Sequence, residues 1–198
     1  ALALLLPATH SLAQTATTPA PAVAASAAAA TAPTADGVTP PAALSAQARA
    51  IVPALSAEQS AQLPPETQQL IAKGRMVAIA ADCAACHTVP GQGKPFAGGY
   101  VLGTPLGSIV ATNITPSRQH GIGDYSEQEF SRAVRDGVRK DGRQLYPAMP
   151  YDAYAGITDE DLHALYTYML QAVPAVDAPT PETQLPFPFN QRWSMLVW

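Results

Sequence analysis

The sequence predicts a mostly α domain with long Gly- and Pro-rich loops, preceded by a disordered Ala- and Pro-rich segment. Three observations predict it. Apolar residues recur at helical spacing in three separate stretches, starting near Glu66, Ser126 and Thr158. Between the first two, Gly and Pro interrupt residues 89–124 too often for long strands, which leaves a long wrapped loop. Before all of them, residues 15–45 are a run of Ala with repeated Thr-Pro and Ala-Pro steps and a single charge, Asp36. Such a composition has no apolar face whose burial would repay the entropy of ordering.

The chain opens without Met on Ala-Leu-Ala-Leu-Leu-Leu-Pro, and Ser11-Leu12-Ala13-Gln14 offers a small-residue cleavage site after Ala13. Residues 1–13 therefore read as the remnant of a secretory signal, and export implies an oxidising compartment. Residues 14–65 read as a linker. Its last part carries a weak helical pattern (Leu55, Gln59, Leu63) that Pro64-Pro65 ends. Residues 66–175 read as one domain, and 176–198 as the start of a further linker.

Within the domain, Leu70, Ile71, Val77, Ala78 and Ala81 make one helical stripe that runs into Cys83. Ser126-x-x-Glu129 is a capping box, followed by the stripe Phe130, Val134 and Val138, with Gly137 or Gly142 as the stop. Thr158 caps a third helix, whose acids at 159–161 lie beside the positive end of its dipole. Leu162, Leu165, Tyr166 and Met169 face inward, and Pro174 ends it. Three short helices leave too little core for so loop-rich a chain, so a large apolar cofactor is expected in the middle.

Net charge is −4 and the pI about 5.4, which gives a nucleic acid nothing to bind. No run of 18 apolar residues could span a bilayer. The two cysteines, Cys83 and Cys86, are too close in sequence to staple distant parts of a fold. They belong to Cys83-Ala84-Ala85-Cys86-His87, the Cys-x-x-Cys-His pattern in which two thiols add across the vinyl groups of a haem and the following imidazole binds iron. Zinc and a redox dithiol compete with this reading. Zinc needs about four ligands, and only His120 and His163 remain in the domain. A dithiol of the thioredoxin kind sits in an α/β pattern that this chain lacks.

A sixth iron ligand separates electron transfer from ligand binding. Met76 is too near the motif to reach the opposite face, Met169 lies on a core stripe, and Met195 belongs to the tail. Met149 remains, in the Pro-bounded loop Leu145-Tyr146-Pro147-Ala148-Met149-Pro150-Tyr151.

A helix into Cys-x-x-Cys-His, a long Gly/Pro loop and a Met loop before a final helix resemble the class I cytochrome c fold. More narrowly, Phe96-Ala97-Gly98-Gly99-Tyr100, Thr112 to Pro116, Gly121 to Ser126, Leu145 to Tyr151 and Ala164-Leu165-Tyr166 look like one family. It is the cytochrome c subunit of bacterial membrane-bound dehydrogenases that oxidise alcohols, gluconate and related polyols. The match covers about residues 70–175, and Leu185 to Trp198 resembles that family's passage from its first haem domain to its second.

The resemblance implies covalent attachment of haem c at Cys83 and Cys86, with His87 and Met149 as axial ligands. It also implies three haems in the full-length protein, one of them here, and hence a longer chain than this one. The partners it implies are a catalytic subunit bearing flavin or pyrroloquinoline quinone, and ubiquinone, in a membrane-associated complex on the periplasmic side of the bacterial inner membrane. The subunit itself would transfer electrons without catalysing bond chemistry. The alternatives are a free-standing periplasmic monohaem shuttle and a gas- or peroxide-handling haem protein with an open iron.

Nine of the 11 basic residues lie in 66–175, and Arg132, Arg135, Arg139, Lys140 and Arg143 crowd into twelve positions. They read as a solvated helix face, with a docking rim or a propionate partner as the functional reading. Asn113 reads as a turn residue or a hydrogen-bond donor near the cofactor, and His120 and His163 as solvent-facing.

Overall fold

In the computed structural model, which describes residues 51–196, the three helical stripes form helices with the starts their sequences encode. A first short helix, α1 (Ala57–Ala61), precedes them. Its N-cap Ser56 accepts the amide of Gln59 on its hydroxyl and donates its own amide to Gln59 Oε1. The helix α2 (Pro65–Ala80) opens with Pro in its first turn, where a missing N–H breaks no intrahelical hydrogen bond. The motif forms its own short helix, α3 (Cys83–His87), and the loop after it contains the antiparallel hairpin β1 (Val101–Thr104) and β2 (Gly107–Val110). The capping box at Ser126 and Glu129 starts α4 (Glu127–Arg135), a single turn forms α5 (Tyr151–Tyr154), and Thr158 caps α6 (Asp159–Gln171). A 3-10 turn, Arg192–Leu196, follows.

The frame is the crossing of α2 and α6. Ile71 and Ala78 pack against Leu162, Leu165, Tyr168 and Met169, with Phe96 and Ile122 from loops and Phe130 and Val134 from α4 closing the core. Phe96 meets Tyr168 edge to face at 6.3 Å. The helices approach so closely at Gly74 that a Cβ there would lie 1.9 Å from the carbonyl oxygen of Ala164.

Three expectations change. First, α2 does not run into Cys83: it ends at Ala80, and Asp82 takes a left-handed conformation (φ 52°) that breaks the helix and redirects the chain into α3. Secondly, the domain does not begin at residue 66. Val52 is 2% exposed within the core. Arg75 donates to the carbonyls of Val52 and Pro53, and the Tyr168 hydroxyl donates to Pro53 O at 2.8 Å. Backbone carbonyls caught by buried donors make this stretch part of the fold.

Thirdly, the tail beyond 175 packs on the domain. Gln184 exchanges two backbone hydrogen bonds with Ser108 at 2.8 and 2.9 Å, extending the edge of β2. Leu185 and Met195 are buried with Ile109 and Tyr146. The signal remnant 1–13 and most of the linker 14–65 lie outside the described residues.

Candidate cofactor site

The short helix α3 presents Cys83, Cys86 and His87 to a cavity of about 320 Å³. Neither thiol is in a disulfide. Apolar walls come from β2 (Ile109, Val110), the following loops (Ile114, Ile122), α4 (Phe130, Val134) and the stretch after α4 (Leu145, Tyr146). Met149 lies on the wall of the same cavity, half-buried, in a loop braced by Met149 N to Tyr146 O (3.2 Å) and Tyr151 N to Met149 O (2.8 Å). The spacing of the motif and the Pro-bounded loop thus bring Cys83, Cys86, His87 and Met149 together. The other three methionines do not line the cavity: Met76 is exposed, Met169 lies in the main core and Met195 in the second cluster.

The imidazole of His87 is oriented from behind. Its Nδ1 lies 2.7 Å from Thr112 O, and a carbonyl oxygen only accepts, so Nδ1 carries the proton and Nε2 keeps its lone pair. Gly98 makes this contact possible. Its amide donates to His87 O at 2.8 Å, its φ is +70°, and a Cβ there would lie 2.4 Å from the Thr112 carbonyl carbon. Any larger residue would push apart the strand of chain that carries Thr112 and the helix end that carries His87.

Burial governs the electrostatics. It pushes the Cys83 thiol up to about 12 and raises Cys86 as well. It lowers His87, against the opposing hydrogen bond to Thr112, so the ring is held neutral, the form that binds metals. Tyr154, also on the wall, is raised to about 12 by burial and donates to Ala81 O at 2.7 Å.

Asn113 is fully used by the protein. Its amide nitrogen donates to Val176 O and Ala178 O, and its Oδ1 accepts from Thr115 N and Oγ1, which fastens the tail to the loop behind the cavity. His163 points away, with Nδ1 2.9 Å from Glu127. His120 is exposed but lines the cavity. Within the basic run, Arg135 reaches Ile157 O and Asp159, and Lys140 reaches the carbonyl of Asp124, so both tie loops together. Arg139 lines the cavity, as does Arg192 from the tail. The tail residues are what sequence reasoning missed, since nothing periodic marks them.

Two thiols on one helix, an imidazole with a free Nε2, a thioether and apolar walls form a donor set that fits a large flat iron cofactor. Among the described residues no three His, Cys, Asp or Glu side chains gather as a metal site, so zinc has no ligand set there.

Residues 71–172 match the cytochrome c family. The chain belongs to that family. A cytochrome c domain carries haem c covalently, which accounts for the gap left between three short helices. The cytochrome c domain is 58% identical over 128 residues to the fructose dehydrogenase cytochrome subunit of Gluconobacter japonicus, covering 65% of this chain and 26% of that protein. It is 49% identical over 129 residues to the gluconate 2-dehydrogenase cytochrome c subunit of Pantoea cypripedii, covering 65% and 29%. To the cytochrome c subunit of the alcohol dehydrogenase (quinone) of Gluconacetobacter polyoxogenes it is 44% identical over 138 residues, covering 70% and 29%. The matched stretch thus spans between a quarter and a third of each of these relatives' length.

Proposed function

We propose that this domain is a one-electron carrier in a dehydrogenase complex. Cys83 and Cys86 would hold haem c covalently, and His87 Nε2 and Met149 Sδ are the groups that would bind its iron. The observation that carries this reading is the convergence of those four side chains on one apolar cavity, with His87 Nδ1 already committed to Thr112 O. Bound haem supplies a reversible one-electron couple between ferric and ferrous iron.

The residues do the rest. Thr112 fixes the tautomer and the ring plane of His87, and raises its basicity as a ligand. The loop 145–151 holds the thioether at the cavity wall, where it would close a bound iron to outside ligands and raise its potential. The apolar walls exclude water, so little reorganises when an electron arrives.

In the whole protein, the domain passes electrons from a catalytic subunit bearing flavin or pyrroloquinoline quinone, acting on an alcohol, gluconate or related polyol, towards ubiquinone. The protein works on the periplasmic side of the inner membrane and carries three haems. The names of the relatives support the class of partner, and their length leaves room for further haem domains.

The test is to express the chain with the haem-attachment machinery and record the oxidised spectrum and the mass. One covalently bound haem with a methionine-to-iron charge-transfer band is expected. Loss of that band, with rapid CO binding to the reduced form, would overturn the axial assignment. Purified from its source membranes, the native polypeptide is expected to be more than twice this length, with three haems and a dehydrogenase subunit. A single-haem chain of this size would make it a free-standing shuttle.

A further inference from the structure

The segment 176–196 reads as linker in the sequence, yet it builds one wall of the cavity. Thr180, Thr183 and Arg192 line it. The segment is held there by the Gln184 to Ser108 pairing, by Val110 N to Thr183 Oγ1 (3.1 Å) and by the Asn113 side chain. Arg192 is half-buried, its guanidinium carbon 3.8 Å from the centre of the Tyr146 ring, and its Nη1 donates to Gln144 O at 3.1 Å.

The charges around it do not balance. Burial disfavours the charge of Arg192, Arg139 and Arg143 nearby add to that, and Asp141 is the acid among them. That carboxylate is already taken, 2.6 Å from Arg143 and 3.6 Å from Arg139. Arg192 makes no ion pair with any carboxylate among the described residues. Of the three guanidinium groups, Arg139 and Arg192 line the cavity, whose other walls are largely apolar, while Arg143 is exposed and paired with Asp141. Taking the half-buried guanidinium of Arg192 partly out of water is costly unless an anion completes the site. A guanidinium stacked on an aromatic ring is a planar fork suited to a carboxylate.

We infer that Arg192 and Arg139 bind the two carboxylate groups of the haem, so that 176–196 is part of the cofactor site. The inference rests on the haem assignment above and names the residues that set the charge around the iron. Arg192 is a positioning residue: its positive charge offsets the haem carboxylates and so disfavours the ferric state, raising the potential.

The experiment uses the haem-loaded protein and the variants Arg192→Gln, Arg192→Lys and Arg118→Gln. Arg118 is exposed and paired with Asp124, and serves as the control. The readouts are the midpoint potential and the haem-carboxylate bending bands in resonance Raman spectra. Arg192→Gln is expected to lower the equilibrium constant for reduction by about tenfold, ~59 mV for one electron, and to shift the carboxylate bands.

Arg192→Lys is expected to restore most of the potential while leaving the bands shifted, because an ammonium keeps the charge and loses the fork. Arg118→Gln is expected to move neither. Wild-type potential and bands in Arg192→Gln, or an equal shift in Arg118→Gln, would overturn the inference. Should Arg192→Gln fail to fold, Arg192→Lys decides alone: shifted bands support the inference and unshifted bands overturn it. The wild-type spectrum separates the two levels. Without covalent haem the site assignment itself fails, whereas haem with an unmoved potential in Arg192→Gln removes only the role of Arg192.

Discussion

Replacing Gly74 by Ala tests whether the α2/α6 crossing carries the domain. The new Cβ would lie 1.9 Å from Ala164 O, 2.5 Å from Ala164 C and 2.7 Å from Tyr168 Cβ, whereas ordinary contact begins near 3.4 Å. The nearest obstacle is helix backbone, which has no rotamer to change, so the two helices must part by about 1.5 Å, a shift felt throughout a close-packed core. Overpacking of this kind costs about 1–3 kcal/mol, and a backbone obstacle puts it at the upper end. Ala gains about 1 kcal/mol over Gly in a helix interior, leaving a net loss of about 2 kcal/mol. For a domain of this size that lowers Tm by about 4–8 °C.

The assay is thermal unfolding of the haem-loaded protein followed by far-ultraviolet circular dichroism, with Gly156→Ala as the control, since a Cβ at Gly156 meets nothing within 4 Å. The control is expected to stay within about 0.5 kcal/mol of the native protein. A Gly74→Ala variant as stable as the native protein, or no different from the control, would refute the claim that backbone approach at this point organises the frame.

Met149→Ala is expected to leave haem attached, lower the potential and admit CO to the reduced iron, because only the sixth ligand is lost. An unchanged potential would move the ligand elsewhere, with His120 on the same cavity wall the first to examine. Cys83→Ser should remove one of two covalent links, seen as a fall in haem retained on the denatured polypeptide, and full retention would count against the attachment site. Tyr168→Phe removes the hydroxyl bond to Pro53 O and is expected to cost about 1 kcal/mol and to speed proteolysis before Ser56. Cleavage at the native rate would show that Arg75 alone holds residues 52–53 in place.

Four of the residues that line the cavity were legible because their signals are local: Cys83, Cys86 and His87 stand out by spacing, and Met149 is left once each other methionine has a better place. Their roles toward haem are the proposal made above. Two helix starts were equally legible, since Ser126 and Thr158 act within one turn of themselves. The break at Asp82 was not, because a left-handed residue other than Gly or Asn leaves little trace in a pattern of apolar spacing.

The sequence by itself determined the cofactor chemistry and the three principal helices, for these rest on residues a few positions apart. Only the tertiary structure decided that residues before 66 and after 175 pack with the domain. Val52 belongs to it because donors more than twenty residues away capture the carbonyls beside it, and Gln184 because it pairs with Ser108 across the chain. The same holds for Arg192, whose place at the cavity depends on a tail that only long-range hydrogen bonds and a few buried apolar side chains fold back. Contacts of that kind are made by shape and by unpaired backbone groups, and neither has a period that a linear pattern of residues can display.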